Sequence, residues 1–401
     1  MTASTRARIA LVIVAVAACT LAATAAARTS SAAAGSPIVI GWAHDSTGPM
    51  APFDGPALAA AQIRVKQINA KGGVNGHPLV IKTCDTQGDK AAVSKACADK
   101  LISGGANVIF TTCDVDLAAP VVQESINKGL LTIAPCIGTD QMGPKRFGAK
   151  GKLAFSFGNV AQDEGSAMAQ FAWSKGWKTA ALATDSVIVY FKNVVQAFKV
   201  RFTQLGGKIV DQETYQDPVF HGNNVQNAVT RINQHKADVV VTSTAGAWNA
   251  LAPLINGLRT LGNDTPVLNS WAGDGVYWLP KSPAITNYYF LTYANSFGHD
   301  PNKAINTLAK QVKAGTGGFI AGPAAIDGVV TAIKRAHGSL TGSTLAAVMQ
   351  KFHKVPTLSG LVSFSPKLHT VFGRAYRIIE INNNTPKELG TITAKVVPSI
   401  G

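Results

Sequence analysis

The chain has 401 residues, of which 46% are hydrophobic and 15% charged, a balance that builds buried cores and excludes an intrinsically disordered protein. Its formal net charge is +15. Lysine and arginine are scattered along the whole length without a basic cluster interleaved with aromatics, so the charge argues for solubility and contact with an anionic envelope surface, and against nucleic-acid binding.

Arg6 and Arg8 precede an apolar run over 9–18 with no acidic residue, the pattern of a secretory signal too short to span a bilayer. Two cleavage readings stand open. Val16-Ala17-Ala18-Cys19 resembles a lipobox, which would lipidate Cys19 and anchor the protein, whereas Ala25-Ala26-Ala27 offers a small-residue site for ordinary release. Both export the protein. The Ala- and Ser-rich sequence up to Ser36 reads as a tether, so 1–36 is set apart as signal and tether.

The span 37–401 is too long for one ordinary core and suits two α/β domains. It opens on Ile38-Val39-Ile40-Gly41-Trp42, an apolar run expected of a strand buried on both faces. A turn-rich loop, STGPMAPFDGP over 46–56, follows. Leu58, Ala61, Val65 and Ile68 then recur on one face of a helix, with Pro56 in its first turn and Asp54 as its expected N-cap. Gly72-Gly73 closes that helix and Asn75-Gly76 turns the chain into a strand over 79–83. Further strands are expected at 107–111, 130–134, 154–157, 179–184, 208–213, 238–242, 265–268, 288–292, 361–364 and 375–381. Helices are expected at 91–103, 118–128, 162–175, 224–235 and 322–337. Such alternation implies mainly parallel sheets with helices on both faces. Ligands meet parallel sheets at loops leaving the C-terminal ends of strands, which makes the loop over 46–56 a candidate ligand loop.

TGPMAPFDG, with INAKGG starting fifteen residues beyond Phe53, resembles the opening of the leucine/isoleucine/valine-binding protein family, and the likeness continues across nearly all the chain after Ser36. The resemblance implies an α/β fold of two doubly wound parallel-sheet domains joined by a three-segment hinge, the type I periplasmic-binding fold of ABC-importer solute-binding proteins. Carried onto this chain, it places the crossings near Phe157, near 289–293 and near 338–341. The N-terminal lobe is then 37–158 plus 288–338, and the C-terminal lobe 159–287 plus 339–401.

Cys84, Cys97, Cys113 and Cys136 form an even set in an exported chain, where disulfides are expected. Cys84 ends a strand whose following helix carries Cys97. Cys113 and Cys136 each follow a strand of what should be one neighbouring pair, so 84–97 and 113–136 are favoured. The resemblance implies the rival pairing of Cys84 with Cys113. No C-x-x-C and no histidine pair at ligand spacing supports a metal site. Nor does the sequence contain a G-x-S-x-G elbow, an H-E-x-x-H helix or a G-x-x-x-x-G-K-[ST] loop, and the glycine-rich run over 315–322 follows a helix and reads as a loop. The chain is therefore read as no enzyme and as needing no cofactor. Asp163-Glu164 reads as charge in the first turn of a helix.

The resemblance also assigns ligand loops. Phe53 stands where the family commonly has a tyrosine over the ligand. Thr112, Cys113, Asp114 and Val115 stand where amino-acid binders hold the carboxylate with a serine and backbone N–H groups, although Asp114 also reads as a plain N-cap. Cys136, Ile137, Gly138 and Thr139 stand where the ammonium is held. Tyr190 keeps an aromatic position, Trp248 takes another, and Trp271, with Asp274 three residues on, stands where an acid meets the ammonium. The groups that grip an α-amino acid are thus altered. Burying a zwitterion without partners costs several kcal/mol, so a solute with an apolar or aromatic body and an amine or hydroxyl for Asp114 or Asp274 suits these residues better. The expected function is an extracytoplasmic solute-binding protein, monomeric and either lipid-tethered through Cys19 or freely released, handing a small amino-acid-like or aromatic, polar solute to an ABC permease after hinge closure. The rival reading is a ligand-sensing receptor of the same fold without a transport role.

Overall fold

The computed structural model describes residues 35–400 apart from 137, 223, 224 and 314. The signal segment, both cleavage sites and Cys19 lie outside the described residues, as does Ile137. The chain begins β1 (Ile38–His44), α1 (Ala51–Asn69), β2 (Leu79–Asp85), α2 (Ala91–Ser103), β3 (Val108–Phe110), α3 (Val115–Asn127), β4 (Leu131–Ala134), the single turn α4 (Pro144–Phe147) and β5 (Ala154–Asn159). It continues with α5 (Ala161–Ser174), β6 (Thr179–Asp185), α6 (Val189–Gln204), β7 (Lys208–Tyr215), α7 (Gln226–Ile232), β8 (Val239–Ser243), α8 (Leu251–Thr260), β9 (Val267–Asn269) and β10 (Tyr288–Thr292). The last part holds α9 (Lys303–Val312), α10 (Ala321–Arg335), α11 (Gly342–Met349), the hairpin β11 (Val355–Thr357) and β12 (Gly360–Val362), then β13 (Thr370–Val371), β14 (Tyr376–Asn382) and β15 (Thr385–Ile392).

Six strands form a wholly parallel sheet in the order β13-β5-β4-β3-β1-β2. Its central strands are apolar runs with both faces buried, because helices cover the two sides. Seven strands form the second sheet, β15-β14-β10-β9-β8-β6-β7, parallel except where β14 pairs antiparallel with β10 and β15. Gly165 lets α5 and α6 approach closely: a Cβ there would stand 2.2 Å from the Val194 carbonyl oxygen. Among the described residues no single helix is long and apolar enough to cross a membrane.

Sheet membership corrects the expected lobe boundaries. β10, expected in the first lobe from residue 288, pairs with β9 and β14 in the second sheet. Residues 342–371, expected in the second lobe, stay with the first: α11 packs on β4 and β13 pairs with β5. The chain crosses after β5, after β10 and between β13 and β14, so the third crossing lies some thirty residues beyond 338–341. The start of α1 is also corrected. Met50 occupies its N-cap and Ala51 opens it, leaving Asp54 inside the first turn. Cys84 joins Cys97 and Cys113 joins Cys136, with Cα separations of 5.5 and 4.7 Å, and the rival Cys84–Cys113 bridge does not form.

Candidate functional site

The loops leaving β1, β3, β6, β8 and β9 bring the two lobes together. Trp248, after β8, donates its indole N–H to the carbonyl of Pro49 in the loop after β1, at 2.9 Å. Val189, at the start of α6, donates its backbone N–H to Asp116 of α3 at 2.7 Å. Phe53 of α1 reaches across to two rings of the other lobe, 5.4 Å from Trp271 and 6.5 Å from Trp248 between centroids. Trp248 also meets Phe191 and Phe220, and Trp271 stacks on Tyr293 at 5.1 Å. Phe53, Trp248, Trp271 and Tyr190, all expected from sequence, therefore belong to one buried aromatic cluster, with Tyr190 joined through Phe191. Sequence reasoning missed Phe191, Phe220 and Tyr293. Their only signal is position, since Phe191 adjoins Tyr190 and Tyr293 directly follows β10.

Buried aspartates shape the loops. Asp54 accepts backbone N–H groups from Asp45 and Cys113, both at 2.8 Å, and so ties the first loop to the third. Burial, with Asp89 nearby, raises its carboxyl well above the usual range. Asp45 accepts from Thr47, Gly48 and Met50. In the second lobe Asp217 accepts from Val219, Asn249 and Ala250, fixing the loop that carries Trp248. Asp45, directly beyond the apolar run of β1, is the pin with a sequence signal, an acid just past a strand.

Asp114 caps α3, its Oδ1 accepting from the N–H groups of Asp116 at 2.8 Å and Leu117 at 3.1 Å. Its Oδ2 is buried without a partner, and burial, helped by Asp116, pushes the carboxyl up to about 7. Val115 is the first helical residue behind it. Thr112 donates its hydroxyl to Asp89 at 3.2 Å, while Cys113 and Cys136 are consumed in their disulfide.

Three expected contacts are otherwise engaged. Gly138 bridges Val160, and a Cβ on it would stand 2.3 Å from the Asn159 carbonyl oxygen, so it serves the first crossing between lobes. Thr139 accepts the Thr370 hydroxyl at its carbonyl and the Gln141 N–H at its own hydroxyl. Asp274 is engaged within the protein, its oxygens accepting from Thr292, Thr316 and Gly317 and thereby holding the turn Gly317–Ile320.

Asp163 and Glu164 lie in the first turn of α5, as expected, and both are buried there. Glu164 accepts from the Tyr190 hydroxyl at 2.6 Å and the Trp271 backbone N–H. Burial raises it to about 7, against the pull of those two bonds. Asp163, also buried, accepts from Gly373 and Tyr376, tying the first crossing to the third. Among the described residues no group of three or more His, Cys, Asp or Glu is placed to hold a metal ion.

Two α/β lobes with parallel sheets, crossed three times and meeting over an aromatic cluster, define the type I periplasmic-binding fold. The chain belongs to the periplasmic binding protein family, whose model matches residues 37–386. It is 25% identical over 334 residues to the Leu/Ile/Val-binding protein BraC3 of Rhizobium johnstonii, a match covering 82% of this chain and 87% of that protein. Among solved structures it is similar to the branched-chain amino acid transporter substrate-binding protein LivJ of Streptococcus pneumoniae in complex with isoleucine. There the TM-score is 0.73 and the identity 19%, covering 90% of this chain and 100% of that one. A solute-binding protein of an ABC transporter from Rhodopseudomonas palustris BisB5, in complex with 3,4-dihydroxybenzoic acid, matches with TM-score 0.73 and 18% identity over 90% and 99% of the two chains.

Proposed function

We propose that this protein is an extracytoplasmic solute-binding component of an ABC importer, which captures one small molecule between its lobes and presents it to a membrane permease. The observation that carries the reading is the convergence of Phe53 from one lobe on Trp248 and Trp271 from the other. A ligand wall divided between two bodies forms only when they approach, so solute contacts favour the closed arrangement over the open one. The rings supply an apolar, stacking surface for an aliphatic or aromatic body. The relatives support a small-solute ligand and leave its identity open, since LivJ is in complex with isoleucine and the R. palustris protein with 3,4-dihydroxybenzoic acid.

The ligand set proposed is Phe53, Tyr190, Trp248 and Trp271 with Thr112 and Asp114, and the signal segment over 1–36 delivers the chain outside the cytoplasm. A melting-temperature survey across amino acids, amides, aromatic acids and polyols tests the reading. Binding to the folded state alone raises stability by about 2.7 kcal/mol at a hundredfold excess over Kd. A solute that stabilises the native protein and fails to stabilise Trp271→Ala is the expected result; equal stabilisation of both would remove the rings from the site.

A further inference from the structure

We infer that Asp114 sets the head-group specificity of this cleft: its carboxylate fills the N-terminus of α3, so the site takes a solute presenting a hydrogen-bond donor, an amide or amine, in place of a carboxylate. The inference rests on the solute-capture reading above.

Four observations carry it. The end of α3 faces the partner lobe, since Asp116, two residues into the helix cap, accepts the Val189 N–H across the crevice. The N–H groups of Asp116 and Leu117, which a bound anion would otherwise use, are already taken by Asp114 Oδ1. The other oxygen, Oδ2, is buried and has no partner within the protein. A buried acceptor of this kind costs stability until a donor reaches it, whereas a solute carboxylate brought beside it meets like charge where water screens poorly. Lastly, Cys113, immediately before Asp114, donates its N–H to Asp54 Oδ1, and Phe53 precedes Asp54 in the chain, so the loop that carries Asp114 is tied to the helical turn that carries Phe53.

In the aromatic cluster the Trp271 indole N–H is likewise buried without a partner. A primary amide carries both a donor of the kind Asp114 Oδ2 lacks and an acceptor of the kind the Trp271 indole lacks. An amine satisfies Asp114 alone. Arg146, the cation paired with neighbouring Asp116, is engaged there and does not face the orphan oxygen as a hydrogen-bond partner.

The test uses matched probes of one ring and three heads: benzamide, benzylamine and benzoate, titrated calorimetrically into the mature protein, Asp114→Ser and Asp114→Asn. Serine keeps a helix cap while removing the charge. The native protein is expected to bind benzamide or benzylamine at least about tenfold more tightly than benzoate, since a site with an unpaired acceptor discriminates sharply by head group. Asp114→Ser is expected to reverse the order toward benzoate, and Asp114→Asn to weaken benzylamine more than benzamide. Preference of the native protein for benzoate, an unchanged ratio in Asp114→Ser, or no binding of either donor-headed probe at millimolar concentration overturns the inference. Tighter binding of benzoate than of either donor-headed probe, accompanied by a fall in radius of gyration, would strike the Asp114 role while leaving capture by closure intact.

Discussion

At the scale of single residues, Glu164 shows how a side chain changes meaning on folding. An acid in the first turn of a helix ordinarily faces water and complements the dipole. Here α5 packs so that Glu164 is enclosed, with Tyr190 and Trp271 donating to it. Its raised pKa has a definite sign in stability. The unfolded chain loses this proton near 4.5 and the folded chain near 7, so the folded state binds more protons between those values and stability falls as pH rises through that window. The share due to one such group is roughly 3 kcal/mol. Glu164→Gln can accept from Trp271 and donate to Tyr190, so it is expected to flatten the decline in unfolding free energy between pH 5 and about 7.5, measured by urea titration at several pH values. An unaltered decline would mean that Glu164 is ionised throughout. Phe53 was legible because it lies in a turn-rich stretch after an apolar strand, and Trp248 and Trp271 because the family resemblance set them in ligand loops. Glu164 was not, because its burial depends on partners 26 and 107 residues away.

At the scale of elements, strands and helices were readable from local periodicity, while their sheet partners were not. The run Tyr288–Thr292 was expected as a strand and is one, yet its lobe was misassigned. Which sheet a strand joins is decided by long-range ladder pairing and helix cover, and β10 is drawn into the second sheet by neighbours on both edges. Pairing of the cysteines was more accessible, since β3 and β4 are adjacent strands and their following residues must lie close. The Cys113–Cys136 bridge closes a loop with a sequence separation of 23, and opening it by the double change Cys113→Ser and Cys136→Ser is expected to cost about 3 kcal/mol. The shift in urea midpoint at unchanged slope reads this directly, and no shift would show that the loop is held by Asp54 and the α3 cap alone. Between α5 and α6, Gly165→Val drives a branched side chain into the Val194 carbonyl. Overpacking of this kind costs about 1–3 kcal/mol, and a variant as stable as the native protein would show that the two helices have room to separate.

At the scale of the whole molecule, two lobes meet through loops and the chain passes between them three times. Contacts that span the crevice include Trp248 on Pro49, Val189 on Asp116, and Phe53 against Trp248 and Trp271. The loops that make them are pinned by buried aspartates, so the proposed closure would carry an already shaped surface onto the solute. Small-angle X-ray scattering of the mature protein, with and without a solute that raises its melting temperature, tests this most directly. The account predicts a smaller radius of gyration on binding, with the contraction diminished in Trp248→Ala. Saturating binding with no change in radius of gyration would contradict capture by lobe closure.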